Sequence, residues 1–109
     1  MKKMRVWFMI MSLETPFYVP VETIEDARRA MDILGSYSQY LVNKEAISDH
    51  CNACGVEVYD EESGEWEDWY YEDSENYYDD VDLYIEEMSP DSIALEKFQK
   101  EVYSQVHFD

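Results

Sequence analysis

A stretch of 52 residues between Lys44 and Lys97 contains no basic side chain, and it holds 19 of the 26 carboxylates of the chain. Its centre, residues 57–87, combines 15 acids with eight aromatic side chains. Carboxylates at this density repel one another and oppose compaction, whereas buried aromatic rings supply apolar area that favours it. The segment therefore predicts a folded acidic surface anchored by rings, because a disordered acidic tail would contain few aromatic residues.

The length and charge of the whole chain narrow the functions that it can have. At 109 residues, we expect a single domain over residues 1–109. The net charge of −18 opposes direct binding to nucleic acid, because the phosphate backbone is also negative. The longest apolar run, Val6 to Met11, is too short to span a membrane, and no cleavable signal follows Lys2 and Lys3. We therefore expect a cytoplasmic protein without a membrane partner.

The first third of the sequence predicts a hairpin followed by a helix. Arg5 to Leu13 is apolar almost throughout, which is typical of a central strand covered on both faces. Phe17 to Val21 alternates along its length and contains a proline that cannot donate to a neighbouring strand, so it predicts an edge strand paired with the first. Thr23 is a suitable N-cap for a helix that we expect to end at Gly35, with the arginines at positions 28 and 29 on its solvent side.

The middle of the sequence predicts a second hairpin. Residues 36–47 are compatible with a short helix, and residues 49–55 are typical of a loop. Residues 56–59 and 66–71 predict two strands joined by a turn at residues 60–64.

The last third predicts two helices, which completes an α+β fold of short antiparallel β-hairpins packed against two to three helices. Tyr70, Tyr77 and Tyr84 recur every seven residues, or two helical turns, so we expect a helix over residues 75–88. The Ser89-Pro90 pair is typical of a helix start, which predicts a C-terminal helix over about residues 90–103. The apolar positions expected to face the core in that helix are Ile93, Ala94, Phe98 and Val102.

Cys51 and Cys54 form a CxxC motif beside His50, and three interpretations of it are open. A zinc site needs four ligands, usually from two such pairs, and the chain has one pair. A redox-active cysteine needs a lowered thiol pKa, which acidic surroundings oppose. We therefore favour ordinary loop cysteines over an adventitious or dimer-bridging metal and over redox chemistry, and we expect no metal site and no cofactor.

The many carboxylates do not identify a catalytic site. General acid–base catalysis needs two carboxyl groups at a set distance with separated pKa values, and 15 acids in 31 residues single out no pair. A calcium-binding EF-hand loop needs a central glycine and a terminal glutamate, and the run from Asp79 to Asp82 has neither. We therefore expect a protein that is not an enzyme, with no catalytic residues.

The density of carboxylates favours imitation of DNA as the mode of action. B-DNA carries about one negative charge per 1.7 Å of axis, so 15 carboxylates match roughly 25 Å of duplex. Such a surface fits the basic groove of a host protein that binds nucleic acid, and electrostatic steering would speed the encounter. The expected partner-binding residues are the carboxylates farthest in sequence from basic neighbours: Asp60, Glu61, Glu62, Glu65, Glu67, Asp68, Glu72, Asp73, Glu75, Asp79, Asp80 and Asp82.

Two segments resemble small, acidic, uncharacterised proteins of phages and prophages of Gram-positive bacteria. They are RVWFMIMSLETPFYVPVETIEDARRAMDIL and GVEVYDEESGEWEDWYY, within residues 4–71. The resemblance implies an inhibitor of a host enzyme, similar in type to anti-CRISPR proteins, anti-restriction proteins and the uracil-DNA glycosylase inhibitor. The most specific expectation is an anti-CRISPR protein against a Cas9-type effector, which reads a short duplex motif with arginine side chains.

The alternative is a structural or adaptor protein without enzymatic activity, either monomeric or dimeric. In that case the acidic face would serve solubility alone. A net charge of about 2–8 is sufficient for the solubility of a small domain, so the much larger charge of this chain favours an inhibitor.

Overall fold

The computed structural model describes residues 3–10, 15–45 and 52–107, and within them it shows the expected α+β fold. The strands are β1 (Met4–Ile10), β2 (Phe17–Val21), β3 (Asn52–Asp60), β4 (Glu65–Asp68), β5 (Tyr71–Glu72) and β6 (Tyr77–Tyr78). The helices are α1 (Ile24–Asn43), α2 (Val81–Met88) and α3 (Ser92–Ser104), and a 3₁₀ turn (Gln105–His107) follows α3.

Strands β1 to β4 form one antiparallel sheet in the order β2-β1-β3-β4. Val6 of β1 lies opposite Val19 of β2 and Val56 of β3, so an apolar row crosses three strands. The predicted antiparallel pairing of β1 and β2 is confirmed, and residues 11–13 of the predicted first strand lie outside the described residues. β2 is an edge strand, which explains why Pro20 is tolerated: a residue without an N–H fits where no neighbouring strand needs a donor.

Helix α1 covers one face of this sheet. Ile24 and Ala27 of α1 pack with Val6 and Val56 to form the buried core. Burial of each large aliphatic side chain contributes about 1.5–3 kcal/mol. The N-cap is the predicted one, because Thr23 Oγ1 accepts a hydrogen bond of 3.0 Å from the third residue of the helix, Asp26.

β1 is a central strand, as predicted, and its second face is covered by side chains of the sheet itself rather than by a helix of the described residues. The Arg5 guanidinium lies 3.7 Å from the ring centroid of Tyr18 and 4.0 Å from that of Trp66. Its Nε donates to Glu57 Oε1 at 2.9 Å. One arginine therefore links side chains from all four strands of the sheet.

Helix α1 is a single helix of 20 residues, and the predicted stop at Gly35 is wrong. The second half of the helix is held by tertiary contacts: Ser38 is buried, and Asn43 Nδ2 donates to the Val106 carbonyl at 3.2 Å. Packing against α3 and the 3₁₀ turn offsets the roughly 1 kcal/mol that glycine costs in a helix.

Arg28 was expected on the solvent side of α1, but it joins three helices. It forms salt bridges of 3.2 Å with Asp32 of α1 and with Asp82 of α2. It also donates to Gln99 Oε1 of α3 at 3.1 Å. Its side chain is only 11% exposed.

Strand β3 extends four residues further toward the N-terminus than the sequence predicted. The predicted loop at residues 49–55 is wrong from Asn52 onward, and residues 49–51 lie outside the described residues. β3 continues to Asn52 because β1 pairs with it over its full length, with Ile10 opposite Asn52. The turn is confirmed: Gly64 has φ 72° and its N–H donates to the Asp60 carbonyl at 2.8 Å.

The predicted helix over residues 75–88 is wrong in its first half. Tyr71 lies opposite Tyr78, and Glu72 lies opposite Tyr77, so residues 71–78 form a small hairpin. Tyr71 and Tyr78, which are seven residues apart, are therefore paired across two strands, while Tyr84 lies in α2. The helix itself begins only at Val81.

The C-terminal helix begins later than predicted and faces the core differently. Ser89 is the C-cap of α2, and its hydroxyl donates to Glu25 at 2.8 Å, while Asp91 occupies the N-cap of α3. Leu95 is fully buried, whereas Ile93 is 84% exposed. The predicted buried face of α3 is therefore right for Phe98 and Val102, which are half-buried on the same side as Leu95, and wrong for Ile93 and Ala94, which are exposed.

Candidate functional site

The 12 acids predicted to bind a partner lie in a part of the chain that runs from β3 to α2, which we call the acidic lobe (residues 57–87). Asp60, Glu61 and Glu62 lie at the β3–β4 turn, and Glu65, Glu67 and Asp68 lie on β4. Glu72, Asp73 and Glu75 lie in the β5–β6 hairpin, Asp79 and Asp80 precede α2, and Asp82 lies in its first turn.

Asp73 has a structural role in the β5–β6 turn. Its Oδ1 accepts hydrogen bonds from the backbone N–H groups of Glu75 at 2.8 Å and Asn76 at 2.7 Å. Its Oδ2 accepts a bond of 2.8 Å from the Tyr71 hydroxyl. These bonds, with that from the Glu75 backbone foremost, hold the pKa of Asp73 below its usual value.

Three further acids of the predicted set also contribute to the fold. Asp80 is the N-cap of α2, with Oδ1 accepting from the N–H groups of Asp82 at 2.9 Å and Leu83 at 3.2 Å. Asp60 Oδ1 accepts from the Glu62 N–H at 3.0 Å. Asp82 forms the salt bridge with Arg28. These carboxylates are therefore less available to a partner than the sequence suggested.

The remaining eight predicted acids are exposed. Within the part of the chain that the structure describes, none of them forms a salt bridge. They are Glu61, Glu62, Glu65, Glu67, Asp68, Glu72, Glu75 and Asp79.

Four aromatic rings anchor the lobe to the rest of the fold. The Tyr84 ring of α2 lies 5.3 Å from that of Trp69, 5.0 Å from Tyr71 and 5.7 Å from Tyr78, measured between centroids. Trp69 also joins the core cluster, and its backbone N–H donates to the Val56 carbonyl at 2.9 Å. The lobe is therefore a folded surface, as expected from its aromatic content.

Two rings of the lobe face solvent instead. Tyr70 and Tyr77 stack with centroids 5.8 Å apart and an interplanar angle of 27°, yet they are 56% and 59% exposed. A pocket of about 310 Å³ lies beside them and is also lined by Asp68 and Asp79. The aromatic content of the segment predicts core anchors, and this prediction is wrong for Tyr70 and Tyr77. The seven-residue spacing of the two tyrosines is the sequence signal that could have revealed this stacked pair, but the same spacing also predicts a helix.

Two phenols of the lobe donate hydrogen bonds to carboxylates. The hydrogen bond with Asp73 raises the pKa of Tyr71, and a hydrogen bond with Glu87 raises that of Tyr78. Both phenols therefore hold their protons more strongly than an unperturbed tyrosine does.

The described lysine and arginine side chains are all engaged in contacts within the molecule. Arg5, Arg28, Arg29, Lys97 and Lys100 form salt bridges. Lys3 and Lys44 lie over tyrosine rings, each with Nζ 5.8 Å from a centroid. Among these salt bridges, only those at Glu57 and Asp82 neutralise an acid of the lobe. The arrangement is therefore suited to bind lysine or arginine side chains supplied by another protein.

The CxxC motif is described only in part. Cys54 is exposed on β3, and Cys51 and His50 lie outside the described residues. Neighbouring protein atoms still shield part of the thiol from water. This desolvation, together with the carboxylates of Asp82 and Asp32, raises the pKa of the Cys54 thiol. Among the described residues, no group of three or more His, Cys, Asp or Glu side chains is arranged to hold a metal ion.

A helix must be both long and apolar to cross a lipid bilayer. None of the helices in residues 3–10, 15–45 and 52–107 is both long and apolar enough to cross a membrane.

Comparison with known proteins gives two matches. A family model described as superinfection exclusion gene product 17 matches residues 3–90. A superinfection exclusion protein of Salmonella phage P22 is 31% identical over 103 residues, an alignment that covers 84% of this chain and 98% of the relative. No solved structure matches the chain.

These matches correct the function predicted from the sequence. The resemblance to small phage proteins is confirmed, although the matching relative comes from a phage of Salmonella and not of a Gram-positive bacterium. The predicted anti-CRISPR protein that imitates DNA is wrong, because both matches are to superinfection exclusion proteins. The alternative of a non-enzymatic phage protein fits better. The prediction of DNA imitation depended on charge density alone. A row of carboxylates is compatible with many basic partners, so it does not identify one.

Proposed function

This chain belongs to the superinfection exclusion gene product 17 family, and on that basis we propose that it prevents productive infection of its host cell by a second phage. The observation that carries the proposal is the match to the phage P22 protein, which extends over nearly the whole length of that relative. A shared small domain, rather than a shared short motif, supports a shared effect on the infected cell.

We propose further that the protein acts by binding and not by catalysis, and that the acidic lobe is its binding surface. Eight exposed carboxylates that form no salt bridge with a described residue attract a basic partner and speed its approach. A lysine or arginine side chain entering the pocket beside Tyr70 and Tyr77 would meet two aromatic rings and the carboxylates of Asp68 and Asp79. The partner is then a basic protein of the host or of the incoming phage.

We place this action in the cytoplasm. The inner leaflet of a bacterial membrane carries anionic lipids, and a protein with a net charge of −18 is repelled by such a surface. Fractionation of expressing cells into membrane and supernatant tests the placement, and recovery in the membrane fraction would contradict it.

The exclusion effect is tested by plating. The chain is expressed in a Salmonella strain, which is challenged with a panel of phages, with the phage P22 protein as the positive control and an empty vector as the negative control. We expect the plating efficiency of at least one phage to fall by about tenfold or more. If the P22 protein excludes phages in this panel and the present chain excludes none of them, the proposal is wrong.

The role of the acidic lobe is tested by charge reversal. Glu61→Lys, Glu65→Lys and Glu67→Lys together change exposed acids of the lobe that form no salt bridge with a described residue. The matched control is Glu22→Lys, Glu96→Lys and Glu101→Lys, which makes the same change in net charge at exposed positions outside the lobe. We expect the first set to abolish exclusion and the second to retain it. The reverse result would exclude the lobe as the binding surface.

A further inference from the structure

Helix α1 has one flank that no other described element covers. Arg28 and Asp32 lie on a different face of the helix and contact α2 and α3. Because successive helical residues are rotated by about 100°, six side chains on the uncovered face fall on one stripe. We call that stripe the free flank, and its members are Asp26, Arg29, Ile33, Tyr37, Tyr40 and Lys44.

The centre of the free flank is apolar and exposed. Ile33 is 48% exposed, Tyr37 is 58% exposed and Tyr40 is 39% exposed. The rings of Tyr37 and Tyr40 stack with centroids 6.1 Å apart, which gives the patch a fixed shape. Phe17 of β2, 62% exposed, adds apolar surface on the side of the sheet that α1 covers, since it lies opposite the buried Phe8.

Each end of the free flank carries both signs of charge. At the start of α1, Asp26 pairs with Arg29 at 3.3 Å. At its end, the Lys44 ammonium lies over the Tyr40 ring, and the exposed Glu45 follows it. The flank is therefore locally balanced on a chain whose net charge is −18.

We propose that the free flank is the contact between two copies of this chain, with the two α1 helices packed antiparallel about a two-fold axis near Tyr37. A two-fold axis perpendicular to α1 brings the start of one helix to the end of the other. Asp26 then approaches Lys44 of the second copy, and Arg29 approaches its Glu45. Unlike charges therefore meet at both ends of the contact.

Other surfaces are poorly suited to self-association. The acidic lobe would meet the acidic lobe of a second copy, and like charges in contact disfavour such an interface. The edge of β2 cannot extend the sheet into a neighbour, because Pro20 removes a donor from that edge. The free flank has neither a large excess of one charge nor a missing backbone donor. A contact through it leaves the acidic lobes of both copies open.

The size of the contact indicates a reversible dimer. A helix of 20 residues is about 30 Å long and presents a strip roughly 10 Å wide. The strip of roughly 300 Å² is smaller than the about 800 Å² per partner of a standard protein interface, so the contact is weak. We therefore expect association that depends on concentration in the micromolar range.

Sedimentation equilibrium of the full chain from about 1 to 300 µM tests the proposal. We expect a monomer–dimer equilibrium that Tyr37→Glu weakens at least about tenfold, because the substitution places two carboxylates at the axis. The control is Ile93→Glu, which adds the same charge at an exposed apolar residue of α3 and leaves the dimer intact. Equal melting temperatures of Tyr37→Glu and the wild type show that the fold is retained.

Charge exchange tests the antiparallel arrangement independently. Asp26→Lys and Lys44→Glu each place like charges at both ends of the contact, and we expect each to weaken the dimer about 5- to 10-fold. The double variant restores the pairing and the affinity. A monomer at every concentration, or a dimer that Tyr37→Glu does not weaken, overturns the proposal. A monomer whose free flank instead binds phosphatidylcholine vesicles would assign the flank to lipid and would also overturn it. Loss of the dimer is separable from failure of the exclusion proposal, because sedimentation does not depend on phage infection.

Discussion

Trp7 occupies the space that a side chain at Gly55 would need. The two residues lie opposite each other on β1 and β3, and a Cβ at Gly55 would stand 2.7 Å from the Trp7 Nε1 atom. Because Gly55 has no side chain, the indole can lie across β3. It lies on the face of the sheet where Arg5 also lies.

This contact predicts opposite effects for two glycine substitutions. Gly55→Ala forces the indole to move, and we expect it to destabilise the fold by about 1–3 kcal/mol. Gly35→Ala in mid-helix meets nothing within 4 Å, and we expect it to stabilise the fold by about 0.5–1 kcal/mol. Urea denaturation of both variants measures the difference. A neutral Gly55→Ala would show that the indole has another position of equal energy.

The second prediction concerns Arg5, which contacts side chains of the three other strands of the sheet. Arg5→Ala removes two cation–ring contacts and a half-buried ion pair, and we expect it to cost about 1–3 kcal/mol. Arg5→Lys restores the charge but not the planar group between the rings, so it should recover less than half of this loss.

The control for Arg5 is Lys97→Ala, whose ammonium lies 3.9 Å from Glu101 with a side chain 79% exposed. We expect that variant to change the free energy of unfolding by less than about 0.5 kcal/mol, because exposed ion pairs contribute little. Equal effects of Arg5→Ala and Lys97→Ala on denaturant midpoints would contradict the structural role of Arg5.

The third prediction is a dependence of stability on pH that involves Asp73. Its folded-state pKa is lowered by the hydrogen bonds of the β5–β6 turn. A carboxylate of this kind stabilises the fold above its unfolded pKa, about 3.9, and the contribution is lost as the pH falls through the lower, folded value. We therefore expect Asp73→Asn to lower the melting temperature at pH 7 and to converge with the wild type in acid.

A matched substitution separates this effect from a general change in charge. Asp79→Asn removes one negative charge from the same lobe at a residue that accepts no hydrogen bond from the described residues. We expect its melting temperature to equal or slightly exceed that of the wild type at pH 7, because repulsion within the lobe falls. Melting curves from pH 2 to 7 that are parallel for Asp73→Asn and wild type would exclude the turn carboxylate as the cause.

The sequence was sufficient to predict the elements with a clear local signal. The strand at Phe17–Val21, the N-cap at Thr23 and the turn with a positive φ at Gly64 were all expected from the residues themselves. The errors arise where tertiary contacts override local signals. α1 continues past Gly35 because α3 packs along it, and β3 begins at Asn52 because β1 extends alongside.

The aromatic repeat shows why periodicity alone misassigned the lobe. A spacing of seven residues matches two turns of a helix, and it also matches two short strands joined by a turn of four residues. The side chain of Asp73 decides between these structures, because its hydrogen bonds to two backbone N–H groups stabilise the turn. Aspartate side chains typically compete with the helix for hydrogen bonds to backbone N–H groups. The sequence does not show which of the many carboxylates will form such hydrogen bonds.

The last prediction separates the structural rings of the lobe from those proposed to bind a partner. Trp69 and Tyr70 are adjacent in sequence, but Trp69 packs in the core cluster and Tyr70 is 56% exposed. We expect Trp69→Ala to cost about 3–5 kcal/mol of stability. Tyr70→Ala together with Tyr77→Ala should cost less than about 1 kcal/mol, because both rings already face water. In the plating assay the tyrosine pair should lose most of the exclusion effect while the protein stays folded. Full exclusion by the folded double variant would show that the stacked tyrosines do not contact the partner.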